Sequence, residues 1–518
     1  MSSNSIPGLS GYDFTSIIDM MVTSYRQPET SMKTQQTTLK TQQSAWQDIK
    51  TRLSALENTL ATLKKTETWT STKATSSNKD LLDAKGGTTG VTGTYTVKIN
   101  RLAQAQSAVT KVLTAADTKT GIEGLGYGDR SFSINGANIE IKATGAVAKD
   151  GDGNEIKDAD GNPLRYITLQ DIQNGINKGT TAVKASIVQI GNDGSGNGQY
   201  RLSLTAASTG TANMPSFADG ADGFLNALGF TLDGSGKIID PDGDPNTPLD
   251  SVSGGITVAA ADAEIVVNGL TITNSSNTIT TAIQGITLNL NDADPAKTIK
   301  VAVEQDTSVA QSAVQAFIDK YNSLMTSIAD KANYDKASET AGALYADPTL
   351  RNIESHLRTL MGSTWGNAGG GYTIFSDLGI STSSDNFGKD ATLTFDADKF
   401  QKAIANNTQS VANLFGAAYN GVDPEDVAGK TGLANVFEDY IHPMVKFQGT
   451  LDKTNDSYTR QLKDLQDRLD DFEERATAYE DMIKLKFSRL ETALSALSQQ
   501  SSSLTSMLNS MKSQTSTK

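Results

Sequence analysis

The side chains best able to do chemistry sit in two acidic runs. Asp150-Gly151-Asp152-Gly153-Asn154 and Asp158-Ala159-Asp160-Gly161 set oxygen ligands at alternate positions, an arrangement suited to a hard cation such as calcium. Counted from Asp150, the sixth residue is Glu155 where an EF-hand turns on glycine, and the twelfth is Gly161 where it needs a bidentate acid. The runs therefore read as acidic hairpin tips. Asp240-Pro241-Asp242-Gly243-Asp244-Pro245 reads as a turn, since its prolines favour one and its spacing completes no calcium loop. Glycine-rich pieces at 191–198 and 366–371 lack the Gly-Lys-Ser/Thr ending of a phosphate-binding loop and read as flexible connections. No Gly-x-Ser-x-Gly elbow and no His-Glu-x-x-His pair occurs.

Cysteine is absent, which removes disulfides, thiolate nucleophiles and zinc-thiolate sites. The two histidines, His356 and His442, read as helix-surface or packing residues. Asp470, Asp471, Glu473 and Glu474 flank Phe472 as solvated charge on the outside of a helix. No catalytic residue, metal ligand set or cofactor-binding residue is predicted, and an enzyme is not expected. A net charge of -14 and a pI near 4.8 argue against nucleic acid and anionic membranes, which demand a basic face. No transmembrane stretch is evident, and MSSNSIPGLSGYDF has neither the basic nor the apolar region of a cleavable secretory signal.

The elements that carry these residues divide the chain. Residues 29–85 and 450–518 contain no glycine or proline. In the first window Met32, Gln35, Leu39, Gln42, Trp46, Ile49, Leu53, Leu56, Leu60 and Leu63 repeat at alternating spacings of three and four, which predicts a coiled-coil helix to about Lys65. In the second, Leu462, Leu465, Leu469, Phe472, Ala476, Tyr479 and Ile483 do the same. After a stutter at Phe487 the seam resumes through Leu490, Leu494, Leu497, Ser501, Leu504, Leu508 and Met511. At about 1.5 Å per residue this helix would reach roughly 90 Å. Such a stripe needs the N-terminal helix or other copies of the chain to cover it. Glutamines in the first seam and the Ser/Thr-rich tail weaken both ends, so residues 1–44 and the extreme C-terminus are expected to order on assembly. The plainer reading is an ordinary helical bundle; the length of the helices and their weak outer heptads speak against it.

Between the helical ends lie short β-rich runs with turn residues between them, among them Ser131-Phe132-Ser133-Ile134-Asn135-Gly136 and Ile265-Val266-Val267-Asn268-Gly269, where Asn-Gly marks a tight turn. Helical spacing returns at Val314, Phe317, Ile318, Tyr321, Leu324, Met325 and Ile328, and again from Leu350 to Met361. The expected fold is α+β and multidomain, with terminal coiled-coil helices and a helical leg domain interrupted by one or two β-rich head domains. The boundaries are drawn at 1–44 for the N-terminal helix segment, 45–77 and 305–449 for the leg, 78–115 and 256–304 for the head, 116–255 for an outer inserted head, and 450–518 for the C-terminal coil.

Four segments carry a resemblance. Ile6-Pro7-Gly8-Leu9-Ser10-Gly11-Tyr12-Asp13, then Ile17-Ile18-Asp19-Met20-Met21 and Arg26-Gln27-Pro28, is similar to the opening of the flagellar hook-associated protein 2 family, although Tyr12 replaces its usual Leu. Gly93-Thr94-Tyr95-Thr96-Val97-Lys98-Ile99-Asn100-Arg101-Leu102-Ala103-Gln104-Ala105-Gln106 resembles the family strand that enters the β region. The block from Asn268-Gly269-Leu270 to Thr287-Leu288-Asn289-Leu290 resembles the strands that close it, and Phe317-Ile318-Asp319-Lys320-Tyr321-Asn322-Ser323-Leu324 its return helix. Residues 113–255 match least well.

The resemblance implies a non-enzymatic filament cap, exported by the flagellar type III apparatus to the extracellular tip of the flagellum. It implies a closed homo-oligomeric ring of about five or six subunits, which retains exported flagellin and promotes its folding and insertion. Further implied partners are the filament tip with its hook-associated junction proteins and a cytoplasmic export chaperone on Leu490, Leu494, Leu497, Leu504 and Leu508; no nucleic acid and no membrane insertion are implied. The assembly residues are the seam positions Leu39, Trp46, Ile49, Leu53, Leu56, Leu60, Leu63, Leu462, Leu465, Leu469, Phe472, Tyr479, Ile483, Phe487, Leu490, Leu494, Leu497, Leu504 and Leu508. A hook-filament junction protein, a flagellin, or a surface adhesin remain alternatives.

Overall fold

The computed structural model describes residues 14–114, 125–240, 249–365, 371–384, 391–416 and 432–515. It forms two compact units, a helical one from Met1–Trp69 and Thr307–Lys518 and a β-rich one from Thr70–Asp306. The helices are α1 (Thr15–Lys64), α2 (Thr66–Thr70), α3 (Leu169–Gly179), α4 (Phe224–Ala227), α5 (Thr307–Ala332), α6 (Pro348–Gly362), α7 (Ala397–Phe415), α8 (Leu433–Val445) and α9 (Thr450–Thr515). The α+β architecture expected from the sequence is present.

In the helical unit, α1 is the spine. Trp46, Ile49, Leu53, Leu56, Leu60 and Leu63 are buried in one core with Val314, Phe317, Tyr321 and Leu324 of α5, Leu350 and Leu357 of α6, and Leu433, Phe437 and Ile441 of α8. The helix stops because Lys65 is extended, and its last carbonyls are capped from beyond: Thr68 Oγ1 donates to Thr62 O at 2.6 Å and Trp69 Nε1 to Leu63 O at 2.8 Å. Its start lies earlier than the glycine- and proline-free window suggested. The helix begins at Thr15 and runs through Pro28, which cannot donate its backbone hydrogen bond. Tyr25 and Arg26, one turn before the proline, are held by α9, and that packing offsets the local cost.

A polar cluster fixes α1 against α5. Asp48 accepts from Lys331 Nζ at 2.6 Å, Ser327 Oγ at 2.8 Å and Arg52 Nε at 3.1 Å, while Arg52 also donates to Ser323. Partial burial pushes the Asp48 carboxyl up, but the donors from Lys331, Ser327 and Arg52 outweigh it and hold it down at about 2. The α6 start is made by Asp347, whose carboxylate accepts from Thr349 N and Leu350 N, with Pro348 at the first helical position.

The β unit contains two cores. The chain enters the inner one through β1 (Thr72–Ser76), β2 (Leu82–Gly86) and β3 (Gly93–Arg101). It then makes the outer module from β4 (Ser107–Val109), β5 (Leu113–Thr114), β6 (Arg130–Ile134), β7 (Ala137–Ile141), β8 (Val183–Asn192), β9 (Gly198–Ala206), β10 (Phe217–Ala218), β11 (Thr231–Leu232), β12 (Ile238–Ile239) and β13 (Gly255–Val258). It returns through β14 (Ala263–Val267), β15 (Leu270–Asn274), β16 (Thr278–Ile283), β17 (Ile286–Leu290) and β18 (Asp294–Gln305). The inner sheet has the order β1-β18-β3-β14-β15, so the entering strand β3 is flanked by two strands of the return. Pairing of Thr72 with Gln305 brings the two ends of the unit side by side.

Two boundaries fall elsewhere than drawn. β1 belongs to the β unit because it pairs with β18, so residues 70–77 leave the helical leg. The change of module falls at the Gln104–Ala261 bridge, because β4 and β5 pair with β9 of the outer sheet. Both Asn-Gly turns are present and are built alike. Asn135-Gly136 joins β6 to β7 and Asn268-Gly269 joins β14 to β15, with all four φ angles positive, as two-residue hairpins of the right twist require. In each, the Asn side-chain oxygen accepts from a third segment, Ser216 N at 2.8 Å and Thr96 N at 2.9 Å respectively.

Two outcomes test this account of the helical unit. Leu56→Ala should destabilise it by about 2–5 kcal/mol, because the site is fully buried, while Leu39→Ala, half-buried, should cost under about 1 kcal/mol; urea unfolding followed by circular dichroism measures both. The Asp48 carboxyl is depressed from the ordinary 3.8 to about 2, so its contribution is complete above pH 3.8 and is lost as pH falls through about 2. Asp48→Asn should lower stability at pH 7 by about 1 kcal/mol, a figure reduced because a third of the carboxylate is exposed and water screens it, and should flatten that acid limb.

Candidate assembly surface

Below the core, α1 and α9 run antiparallel as a two-helix stalk. Lys50 pairs with Asp452; Gln43 Nε2 donates to Thr459 Oγ1 at 2.9 Å and to Asn455 Oδ1 at 3.1 Å; Gln36 Nε2 donates to Gln466 Oε1 at 2.7 Å. Further out, the Tyr25 ring stacks on Tyr479 at 4.2 Å and 9° and on Phe472 at 5.8 Å. Beside it Arg26 forks onto Glu473 at 2.6 and 3.1 Å and reaches Glu29 at 3.0 Å. Those carboxylates, Glu473 first, hold the guanidinium still further above its ordinary value. At the end Phe14 meets Phe487 at 5.4 Å.

The predicted seam separates into three classes. Trp46, Ile49, Leu53, Leu56, Leu60 and Leu63 are buried, and so are Leu465, Leu469, Phe472 and Ile483 on α9. Leu39, Leu462, Tyr479, Phe487 and Leu494 are half-buried. Leu490, Leu497, Leu504 and Leu508 are exposed. The division follows from length, since α1 begins at Thr15 beside Phe487 and α9 continues to Thr515. Missed from the sequence were Phe14, Ile18 and Tyr25. Their signal was there: Phe14, Ile18, Met21, Tyr25, Pro28 and Met32 continue the spacing of four and three upstream, behind a proline that made the helix look shorter.

Residues 10–106 match the sequence profile of the flagellar hook-associated protein 2 N-terminus, and residues 260–499 match that of its C-terminus. The chain belongs to the flagellar hook-associated protein 2 family. It is 28% identical over 507 residues to flagellar hook-associated protein 2 of Escherichia coli (strain K12), with 96% of each chain covered. It is 25% identical over 517 residues to the B-type protein of Pseudomonas aeruginosa, with 97% of each covered. Its fold is similar to the crystal structure of the flagellar cap protein FliD D1-D2-D3 domains from Escherichia coli, with a TM-score of 0.59 and 27% identity, covering 80% of this chain and 99% of that one. The two hook-associated protein 2 profiles take in both stalk helices and the inner β core, and leave residues 107–259, essentially the outer module, outside. Among the described residues no helix is long and apolar enough to cross a membrane.

In this family member the acidic runs are turns. Asp150 Oδ1 accepts from Asp152 N at 3.0 Å and Asn154 N at 2.8 Å, and Asp158 Oδ1 repeats this with Asp160 N and Asn162 N. Asp193 and Asp233 close the β8–β9 and β11–β12 hairpins in the same way. The backbone N–H groups, that of Asn154 foremost, hold the Asp150 carboxyl below its ordinary value. Residues 147–165 hide an eight-residue repeat. Ile156 N donates to Ala148 O, Leu164 N to Ile156 O and Ala148 N to Leu164 O, at 2.8–2.9 Å, closing a three-sided ring. Among the described residues no group of three acids or histidines is placed to hold a metal. The runs 241–248 and 366–370 lie outside the described residues. His442 Nδ1 meets Glu57 at 2.8 Å, and His356 stacks on Tyr440 at 4.0 Å.

Millimolar calcium should leave the melting temperature unchanged, as the Asp150 and Asp158 oxygens already serve the backbone; a rise of several degrees would return these loops to metal binding. Tyr25→Ala should loosen the outer stalk by about 0.5–1.5 kcal/mol. Amide exchange over 472–483 should accelerate, with no change at Ile49–Leu63.

Proposed function

We propose that the chain caps the growing flagellar filament at its extracellular tip, as a closed homo-oligomeric ring that retains exported flagellin and promotes its folding and insertion. The observation that carries this reading is the pairing of family profiles over both stalk helices and the inner β core with similarity to a solved flagellar cap protein over most of the chain. The family assignment favours the cap over a junction protein or flagellin, and no observation favours an adhesin.

The chain works by assembly and not by catalysis. The β modules form the plate of the ring and the helical parts the legs that reach the filament tip and its junction proteins. The stalk suits a leg that must yield as subunits enter. Its outer half mixes buried Leu465, Leu469 and Ile483 with amide pairs, an aromatic clamp and an arginine fork, where the inner end of α1 is held by an unbroken row of fully buried aliphatic residues. The outer stalk, the part of α1 before Ala45 together with the C-terminal end of α9, takes its final packing on assembly. Before export, a cytoplasmic chaperone covers Leu490, Leu494, Leu497, Leu504 and Leu508, four of which are exposed.

Deleting the gene should abolish filaments and release unpolymerised flagellin into the medium. Filaments of normal length in the deletion strain would overturn the capping role.

A further inference from the structure

In the outer module β8 is joined to β9 as a long hairpin, and among the described residues it pairs with β9 alone. Its second edge is open. Along an antiparallel ladder the backbone groups of alternate residues point to opposite sides. Ala207 N donates to Ala182 O, and the register runs unbroken from Val183–Ala206 to Gln189–Tyr200, so the groups of Ala185, Ile187 and Gln189 point away from β9.

Helix α3 guards the first of these. Asn177 Oδ1 accepts from Ala185 N at 2.9 Å, Asn177 Nδ2 donates to Ala185 O at 2.9 Å, and Gln173 Nε2 reaches the same oxygen at 3.4 Å. One side-chain amide thus stands where the peptide group of a neighbouring strand would. The guard stops there, and among the described residues nothing pairs with the outward groups of Ile187 and Gln189. Folded proteins commonly protect an open edge with lysine, proline or a covering element. From Ser186 to Asn192 there is no charged residue and no proline, and Val188 and Ile190 are 44% and 49% exposed. A register shift between Gln189 and Gly191 ends the regular ladder, so the edge has room for a short strand only.

The chemistry of the edge fixes what fits it. Donors and acceptors set at the strand repeat are matched by an extended peptide backbone, and the uncharged β-branched side chains beside them select apolar neighbours. We propose that the β8 edge at Ile187–Ile190 binds, by strand addition, a short, extended, apolar segment of a polypeptide that has not yet folded. This rests on the capping reading, in which the occupant is flagellin awaiting its fold, and gives that reading a holding site in the outer module. So short a segment makes few bonds, and it is released when the arriving chain folds.

The test uses the full-length protein and labelled flagellin unfolded in urea and diluted into the assay, with fluorescence anisotropy as the readout. Gln189→Pro removes one outward N–H and no bond to β9, and Gln189 is exposed, so the melting temperature should stay at the wild-type value. Binding should weaken by about fivefold, the loss of one hydrogen bond. Gln189→Ala keeps that N–H and should bind as the wild type does, which separates the backbone from the side chain. In a second arm, Val188→Lys with Ile190→Lys should weaken binding by at least about fivefold, because lysine guards an open edge. Equal binding by the wild type, Gln189→Pro and the lysine variant overturns the proposal, and so does wild-type protein that leaves the unfolded chain unbound. Wild-type dimers that Gln189→Pro abolishes, without binding of flagellin, would give the edge to a second copy of this chain and overturn it too. Filament growth in the deletion strain decides the capping role separately from all of these outcomes.

Discussion

Between Trp46 and Leu63 one face of α1 is removed from water by helices that lie more than two hundred residues further along the chain. A single helix cannot bury its own apolar stripe, so α1 acquires a stable environment only after α5, α6 and α8 have been made and returned to it. Everything else in the helical unit is arranged around that delayed pairing. Asp48 fixes α1 to α5 through Lys331, Ser327 and Arg52, while Lys64 pairs with Glu438 of α8. Thr68 and Trp69 close the end of α1 before the chain crosses into the β unit.

The same constraint weakens in steps along α1 towards its N-terminus. Fully buried aliphatic side chains give way to glutamine pairs with Gln466, Asn455 and Thr459, then to the Tyr25 clamp with its arginine fork, and finally to Phe14 on Phe487. Amide pairs exchange bonds with water at little net gain, so in the middle of the stalk it is the buried Leu465 and Leu469 beside them that contribute stability.

In the β unit the equivalent closure is made by β3. It enters between the positions later filled by β14 and β18, so the inner sheet is complete only when the return strands flank it. The Gln104–Ala261 bridge then marks the passage to the outer module, and Thr209 and Thr211 fasten that module to Ser275 and Asp262 of the return. The two profile matches stop and resume close to this passage.

Much of this was legible in the residues. The spacing of three and four placed both long helices, the Asn-Gly pairs placed two hairpins, and Gly93–Gln106 identified the strand on which the inner sheet is built. Local patterns of that kind are set by backbone geometry and so survive without tertiary context. What they could not give was which stripe meets which. Trp46 and Leu497 occupy equivalent seam positions, yet one is buried and the other lies open, because burial depends on where α1 starts relative to α9. Pro28 stays helical for a related reason, since Tyr479, Phe472 and Glu473 arrive from the far end of the chain to hold Tyr25 and Arg26. Sequence thus determined the periodicity of the surfaces, while only the tertiary structure decided which were matched, because matching is a property of two segments and periodicity of one.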